Sequence, residues 1–251
     1  MTWTLTSDAT VPLWRPKDQD PHAVLAFSTR RGGVSEPPYD TLNLGRSTED
    51  RPEAVAENRA RLLASLGLDP GRLATAGQVH GVRVTEAVEP GLHPACDVLI
   101  TRRPGLVVAV TTADCLPLLL AAPGVVAAVH SGWRGTAARA PVVALRAVCE
   151  AAGVPPDRVA VHLGPAIRAC CYRVGAEVAQ EFPESTTTRT GDHWRLDLAA
   201  AARLQLREAG VAEESIADVA ACTCCEPPWY FSHRRDRGRT GRHWAIAALR
   251  P

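Results

Sequence analysis

TTADCLPLLLAAPGVVAAVHSGWRGTAAR, residues Thr111 to Arg139, holds two apolar runs, Leu116–Ala122 and Val125–Val129. Each is long enough for a buried strand and too short to span a membrane. Pro123-Gly124 between them is turn chemistry, so the pair reads as a strand–turn–strand unit. Cys115 precedes the first strand and His130 follows the second, so antiparallel pairing sets them side by side at one open end. Such a pair can be two soft metal ligands, a nucleophile with its base, or a thiol and an imidazole that fill space. Gly132-Trp133-Arg134-Gly135 then suits a tight start to a following helix.

Upstream, His22–Thr29 (HAVLAFST) reads as a strand running into Arg30-Arg31-Gly32-Gly33-Val34-Ser35 and a long loop through Asn43-Leu44-Gly45. Loops of that length without regular structure are usually functional or disordered, and its glycines and paired arginines favour function. Pro52–Gly67 is helical, with Val55, Leu62, Leu63 and Leu66 on one face, Pro52 in the first turn and Asp50 as cap. Arg72–Val79 and Val82–Glu86 read as strands around a two-residue turn at His80-Gly81. Asp97–Thr101 and Leu106–Thr112 form a second pair joined by Arg102-Arg103-Pro104-Gly105. Downstream, Thr136–Ala152 is helical if Pro141 lies in its first turn. Val159–Leu163 is a strand; Val174–Glu181 and Asp197–Ala209 are helices. Ile216–Cys222, Tyr230–Ser232 and Trp244–Leu249 are strands. Helices and strands alternate, yet several strands come in hairpins, so the fold class is α+β with mixed sheets.

The 251 residues can bury a sizeable core, and no repeat or low-complexity linker divides them, so one domain over residues 1–251 is expected. A formal net charge of +1 gives no broad electrostatic reason to invoke nucleic acid or a membrane surface. The basic segment Arg234–Arg242 therefore reads as a solvated or substrate-facing loop. Neither a signal peptide nor a membrane-length run is apparent, which makes the cytoplasm the expected compartment. There the eight cysteines are expected to be free, catalytic or metal-bound. Phosphate-cradling P-loops, a dinucleotide fingerprint and a serine elbow are all lacking.

His80, Cys115 and His130 each stand where an apolar run meets a loop. Three such ligands with an open fourth position are the pattern of a catalytic zinc, which activates water or polarises a leaving group. No two of them fall in a short ligand motif, so spacing alone leaves the core-filling reading open. Arg134, Gly132 and Gly135 at a helix start suit phosphate or carboxylate. Asp114 either orients a histidine or shapes the turn, because strand alternation points it away from Cys115. Cys222, Cys224 and Cys225 with Cys170 and Cys171 are a second metal site or buried thiols.

Ordered along the chain are Thr29-Arg30-Arg31-Gly32-Gly33-Val34-Ser35, Leu42-Asn43-Leu44-Gly45, Gln78-Val79-His80-Gly81 and Ala113-Asp114-Cys115-Leu116-Pro117. They are followed by His130-Ser131-Gly132-Trp133-Arg134-Gly135, Gly164-Pro165-Ala166-Ile167, Phe231-Ser232-His233-Arg234-Arg235 and Thr240-Gly241-Arg242. Together these motifs resemble the bacterial purine nucleoside phosphorylase family long described as laccase-domain or polyphenol oxidase proteins. The resemblance implies a four-layer α/β/β/α domain of mixed β-sheets packed between helices, similar to the catalytic domain of cytotoxic necrotising factor toxins. It also implies zinc held by His80, Cys115 and His130, which sets aside the core-filling reading.

The implied activities are phosphorolysis of adenosine, inosine, guanosine and 5′-methylthioadenosine, with deamination of adenosine. Purine nucleoside and phosphate are then the partners. Arg134 is first among the phosphate ligands, with Arg30 and Arg242 beside it, and Asn43 hydrogen-bonds purine or ribose. Copper-dependent phenol oxidation is the older attribution; multicopper oxidases need clustered histidine pairs, and the eight histidines here are scattered. Two departures stand out: Arg173 replaces the family's usual Glu, and Ser131 its commoner alanine, adding a hydroxyl near the metal. A metal-free Cys–His hydrolase, with Cys115 as nucleophile and His130 as base, is the alternative the toxin-like fold suggests. A non-catalytic partner role finds no evident binding surface in the sequence.

Overall fold

The computed structural model describes residues 2–18 and 20–251. Leu116–Ala122 and Val125–Ser131 pair antiparallel around Gly124, whose φ of 73° suits glycine, with Leu118 opposite Val129 and Leu120 opposite Ala127. This hairpin forms the centre of a six-stranded sheet. Its order is Ile216–Asp218, Ala160–Leu163, Leu116–Ala122, Val125–Ser131, Val98–Thr101, Val84–Glu86.

Alternate side chains of the hairpin enter two different cores. Leu116, Leu118, Leu120, Val125, Ala127 and Val129 pack with the helices Ala140–Ala152 and Leu198–Glu208. Leu119, Ala121, Val126 and Ala128 point the other way, onto Val108, Val110, Ala245 and Ala247 of a seven-stranded sheet. Burial on both faces is why these strands read as continuous apolar runs instead of alternating.

The second sheet has the order Trp3–Leu5, Leu13–Pro16, Ala23–Ser28, His243–Leu249, Val107–Thr112, Leu73–Gly77, Gly91–Pro94. Its outer face, Val107, Ala109, Ile246 and Ala248, is covered by Leu62 and Leu63 of the helix Pro52–Ser65. Helix, sheet, sheet and helix therefore stack in four layers, as the resemblance implied. A small third sheet of Arg173–Val174, His193–Leu196 and Thr187–Thr190 was not foreseen. Among the described residues no helix is long and apolar enough to cross a membrane.

Several expectations need correction. Leu73–Gly77 and Val84–Glu86 lie in different sheets, so His80-Gly81 is a crossing between layers and not a hairpin turn. The amides of Val79, His80 and Gly81 all donate to the Asp97 carboxylate, which replaces the ladder a hairpin would have provided. Val98–Thr101 and Val107–Thr112 are likewise split between the sheets. Asp50 does not cap the helix: Arg51 occupies the N-cap without a side-chain bond. The Asp50 carboxylate instead accepts from Ser35 Oγ and Asn43 Nδ2, closing the long loop on itself.

Arg139, at φ 62°, breaks the helix expected over Thr136–Ala152 into Trp133–Ala137 and Ala140–Ala152, which places Pro141 in a first turn. Val174–Glu181 contains a strand residue and one short helix, Ala176–Ala179. Ala220, at φ 57°, lies beyond the shorter strand Ile216–Asp218. Tyr230–Ser232 is buried but irregular, with the Phe231 amide donating to His243 Nε2 instead of to a neighbouring strand.

Candidate active site

At the mouth of the central hairpin, His130 pairs with Pro117, and Cys115 precedes Leu116 across the open end. The donor atoms of His80, Cys115 and His130 lie within 4.8 Å of one another. The two imidazoles meet edge to face, with ring centroids 4.9 Å apart. His130 is buried, Cys115 half-buried and His80 exposed, so the group opens towards His80. Gly132 leaves the room they need: a Cβ there would stand 2.9 Å from Cys115 Sγ and 3.4 Å from His80 Cδ2. Two imidazoles and a thiolate are a borderline-soft set well suited to zinc, and the open side leaves a coordination position free. The residues present fit the metal.

Asp97 organises this group from beneath. Its Oδ1 accepts from His130 Nδ1 at 2.7 Å and from the His80 amide at 3.0 Å, and its carbonyl accepts the His130 amide at 2.8 Å. Carboxylate on Nδ1 turns Nε2 towards the metal position, the usual outer-shell arrangement for a ligating histidine. Electrostatics follow from the same contacts. Burial works to raise the Cys115 thiol, but His130 and His80 overcome it and bring the pKa down to about 6. For His130, burial opposes charging, and the Cys115 thiolate with Asp97 lifts it to about 9. The same contacts favour the thiolate of Cys115 and the protonated ring of His130.

Around the donors is a cavity of about 670 Å³, within the roughly 300–1,000 Å³ typical of small-molecule sites. Arg46, Arg59, Arg234 and Arg242 line it, with Asp114, Gln78 and Tyr172. Arg59 is buried at 8% exposure and stacked on Trp244, its Nε and Nη2 donating to the Leu44 carbonyl. Its Nη1 has no partner among the described residues. Burial, then Arg46, pulls the Arg59 pKa down to about 9, a cationic crowding that an anion would relieve.

The expected site residues separate into two groups. His80, Cys115, His130, Asp114 and Arg242 line the cavity. Asp114 does so beside Cys115, because its φ of 87° breaks the strand alternation that would have turned it away. Its carboxylate accepts from Thr223 Oγ1 and the Arg234 amide, so it shapes the wall. Arg134, Arg30 and Asn43 stand outside. Arg134 is exposed and stacked on Trp133. The Arg30 guanidinium is committed to Asp40, the Pro227 carbonyl and the face of Phe231. Asn43 is buried, and its Oδ1 accepts the amides of Gly45 and Arg242, so it positions the Arg242 backbone. The Arg173 side chain is exposed against His193, away from the cavity wall, and Ser131 Oγ bonds Thr136 Oγ1.

Sequence reasoning missed Asp97, Arg46, Arg59 and Tyr172. Two of these carried a signal. Asp97 is a lone acid at the head of the apolar run Val98–Ile100, and Arg59 falls on the helix's apolar face, four residues after Val55 and three before Leu62.

The sequence model of the family described as multi-copper polyphenol oxidoreductase laccase matches residues 24–250. A protein of Deinococcus radiodurans named purine nucleoside phosphorylase is 43% identical over 249 residues, covering 95% of this chain and 93% of that protein. A purine nucleoside phosphorylase of Mycobacterium tuberculosis is 44% identical over 224 residues, covering 86% and 87%. Among solved structures, YlmD from Geobacillus stearothermophilus superposes with a TM-score of 0.93 at 32% identity, covering 100% of both chains. Bacillus licheniformis YfiH superposes with a TM-score of 0.91 at 30% identity, covering 98% of each. With matches of this extent in sequence and in structure, the chain belongs to the laccase-domain family whose members include these proteins named purine nucleoside phosphorylase.

Proposed function

We propose that the protein is a zinc-dependent purine nucleoside phosphorylase. Adenosine, inosine, guanosine and 5′-methylthioadenosine are its substrates, and adenosine deamination is a side activity. The observation that carries this reading is the meeting of a His–Cys–His donor set and four arginines in the lining of one cavity. The names of the relatives supply the substrate class.

Zinc, when bound by His80, Cys115 and His130, supplies a Lewis acid beside the nucleoside. Asp97 fixes the rotation of His130, and Asn43 fixes the Arg242 backbone. Arg242 with Arg46 and Arg59 holds phosphate, since charge-assisted hydrogen bonds from guanidinium groups suit its oxygens. A phosphate oxygen attacks the anomeric carbon, the glycosidic bond breaks, and the purine leaves with its bonding pair and takes up a proton. Arg134 and Arg30 have no direct part, because their guanidinium groups are engaged outside the cavity. Phenol oxidation through several coppers is disfavoured: the two groupings of metal-type donors among the described residues include only two of the eight histidines.

Inosine incubated with the purified protein, with and without phosphate, tests the reading through free base and ribose 1-phosphate. Base release that requires phosphate is expected, and zinc content should fall in Cys115→Ala. Adenosine without phosphate should yield inosine. No base release under any metal loading sinks the phosphorylase reading, and alkylation of Cys115 that abolishes a metal-independent hydrolysis would favour the thiol enzyme instead.

A further inference from the structure

Outside the residues that line the cavity, four more cysteines converge. Cys170 and Cys171 lie in the turn after Ala160–Leu163, and Cys222 and Cys225 in the segment after Ile216–Asp218. The two segments run side by side through a parallel bridge between Ala166 and Cys222, with the Thr223 amide donating to the Ala166 carbonyl. Cys170 Sγ lies 3.5 Å from Cys222 Sγ and 3.4 Å from Cys225 Sγ, and Cys171 Sγ lies 3.2 Å from Cys225 Sγ. All four sulfurs fall within 4.8 Å of one another, and all four are free thiols.

We propose that Cys170, Cys171, Cys222 and Cys225 hold a zinc ion of their own in a closed four-thiolate site that braces the cavity wall. A tetrahedral zinc with Zn–S of about 2.3 Å has sulfurs about 3.8 Å apart, inside the span these thiols cover. Cys222 and Cys225 have the Cys-x2-Cys spacing of a zinc knuckle, which the extra Cys224 hides in the sequence. Cys224 is not one of the four sulfurs that all lie within 4.8 Å of one another, although its thiol stands against that of Cys171. Cys170 and Cys225 are exposed, which gives the ion a way in, while Cys222 is buried. Each ligating thiol releases its proton to solvent on binding.

The position gives the ion a use. Tyr172, next to Cys171, lines the cavity. Thr223, next to Cys222, donates its hydroxyl to Asp114 at 2.6 Å. Arg195 Nη1 donates to the carbonyls of Ala169 and Cys170, and Arg168 ties the turn to Asp218, so the same turn is already held from outside. An ion at the sulfurs joins the two segments at their free end and fixes Tyr172 and Asp114 against the catalytic group.

Metal analysis of the full-length protein, purified under reducing conditions without chelator, tests this. Two zinc per chain are expected in the native protein and one in Cys115→Ala. One is also expected in the double variant Cys170→Ser/Cys225→Ser, which keeps the His–Cys–His ion. The native protein supplies a measure independent of that variant's folding: cobalt substitution should give the intense sulfur-to-metal charge-transfer bands of a tetrahedral multi-thiolate site. Thiol reagent should then reach these four cysteines only after chelation. One zinc per chain with all four thiols freely reactive overturns the proposal. So does an intact mass two hydrogens lighter per bridge, which would mean disulfides, or the visible absorption of an iron–sulfur cluster.

Discussion

Asp97 Oδ1 accepts a hydrogen bond from His130 Nδ1 at 2.7 Å, both side chains being buried, and the same oxygen takes the His80 amide. One carboxylate thus sets the ring of one candidate ligand and the backbone of another. Replacing it by Asp97→Asn should lower zinc affinity at the His–Cys–His group by about 10–100-fold, the usual cost of losing such an orienting partner. Chelator competition measures this; an unchanged affinity in a folded variant would show that Asp97 only supports the crossing.

Cys115 offers a test by pH. Burial raises its pKa, yet the two histidines bring it down to about 6, against about 8.5 for an ordinary thiol. A depressed pKa means the thiolate is present above that value and lost as pH falls through it. In metal-stripped protein, iodoacetamide labelling of Cys115, followed by peptide mapping, should therefore have its midpoint near pH 6. A midpoint above 8 would mean that the histidines do not stabilise the thiolate.

Gly132 is needed for space, not for backbone freedom, because its φ of −70° is open to any residue. In Gly132→Ala the new Cβ would press on Cys115 Sγ from 2.9 Å. The variant should fold normally, with a melting temperature close to the parent's, and lose about tenfold or more in zinc affinity, some 1.4 kcal/mol. Normal zinc binding would show that the donors can shift at little cost.

The arginines can be sorted by kinetics. Arg46→Ala and Arg242→Ala should each raise the KM for phosphate by about tenfold or more, the loss expected for a hydrogen bond to a charged group. The nucleoside KM should change much less. Arg134→Ala, whose guanidinium lies on Trp133 outside the cavity, should alter neither by more than about twofold. A phosphate defect confined to Arg134→Ala would move the anion site to the helix start.

Much of the fold was legible where strands are buried on both faces. Leu116–Ala122 matches its expected limits, and Val125–Ser131 extends the expected run by two residues, because an unbroken apolar run bounded by turn residues has few other solutions. Sheet membership was not legible. His80-Gly81 has the chemistry of a tight turn, and what sends the chain to the other layer is a carboxylate sixteen residues away from Gly81. Asp114 escaped for a local reason, a positive φ that strand periodicity does not anticipate. Arg134 was read as an anion ligand because it stands between two glycines at a helix start, whereas Arg59, on the apolar face of a helix, was passed over. The three proposed ligands were legible through the resemblance, not through their spacing.

From Leu73 to Ala122 the chain changes sheet at every step: Leu73–Gly77, Val84–Glu86, Gly91–Pro94, Val98–Thr101, Val107–Thr112 and Leu116–Ala122 alternate between the two layers. Neither layer can assemble without the other, so the sandwich is laced rather than stacked, and it should unfold as one cooperative unit. His80, Asp97 and Cys115 each sit on one of these stitches. An ion held there works as a rivet through the seam, and whatever loosens the lacing unseats it.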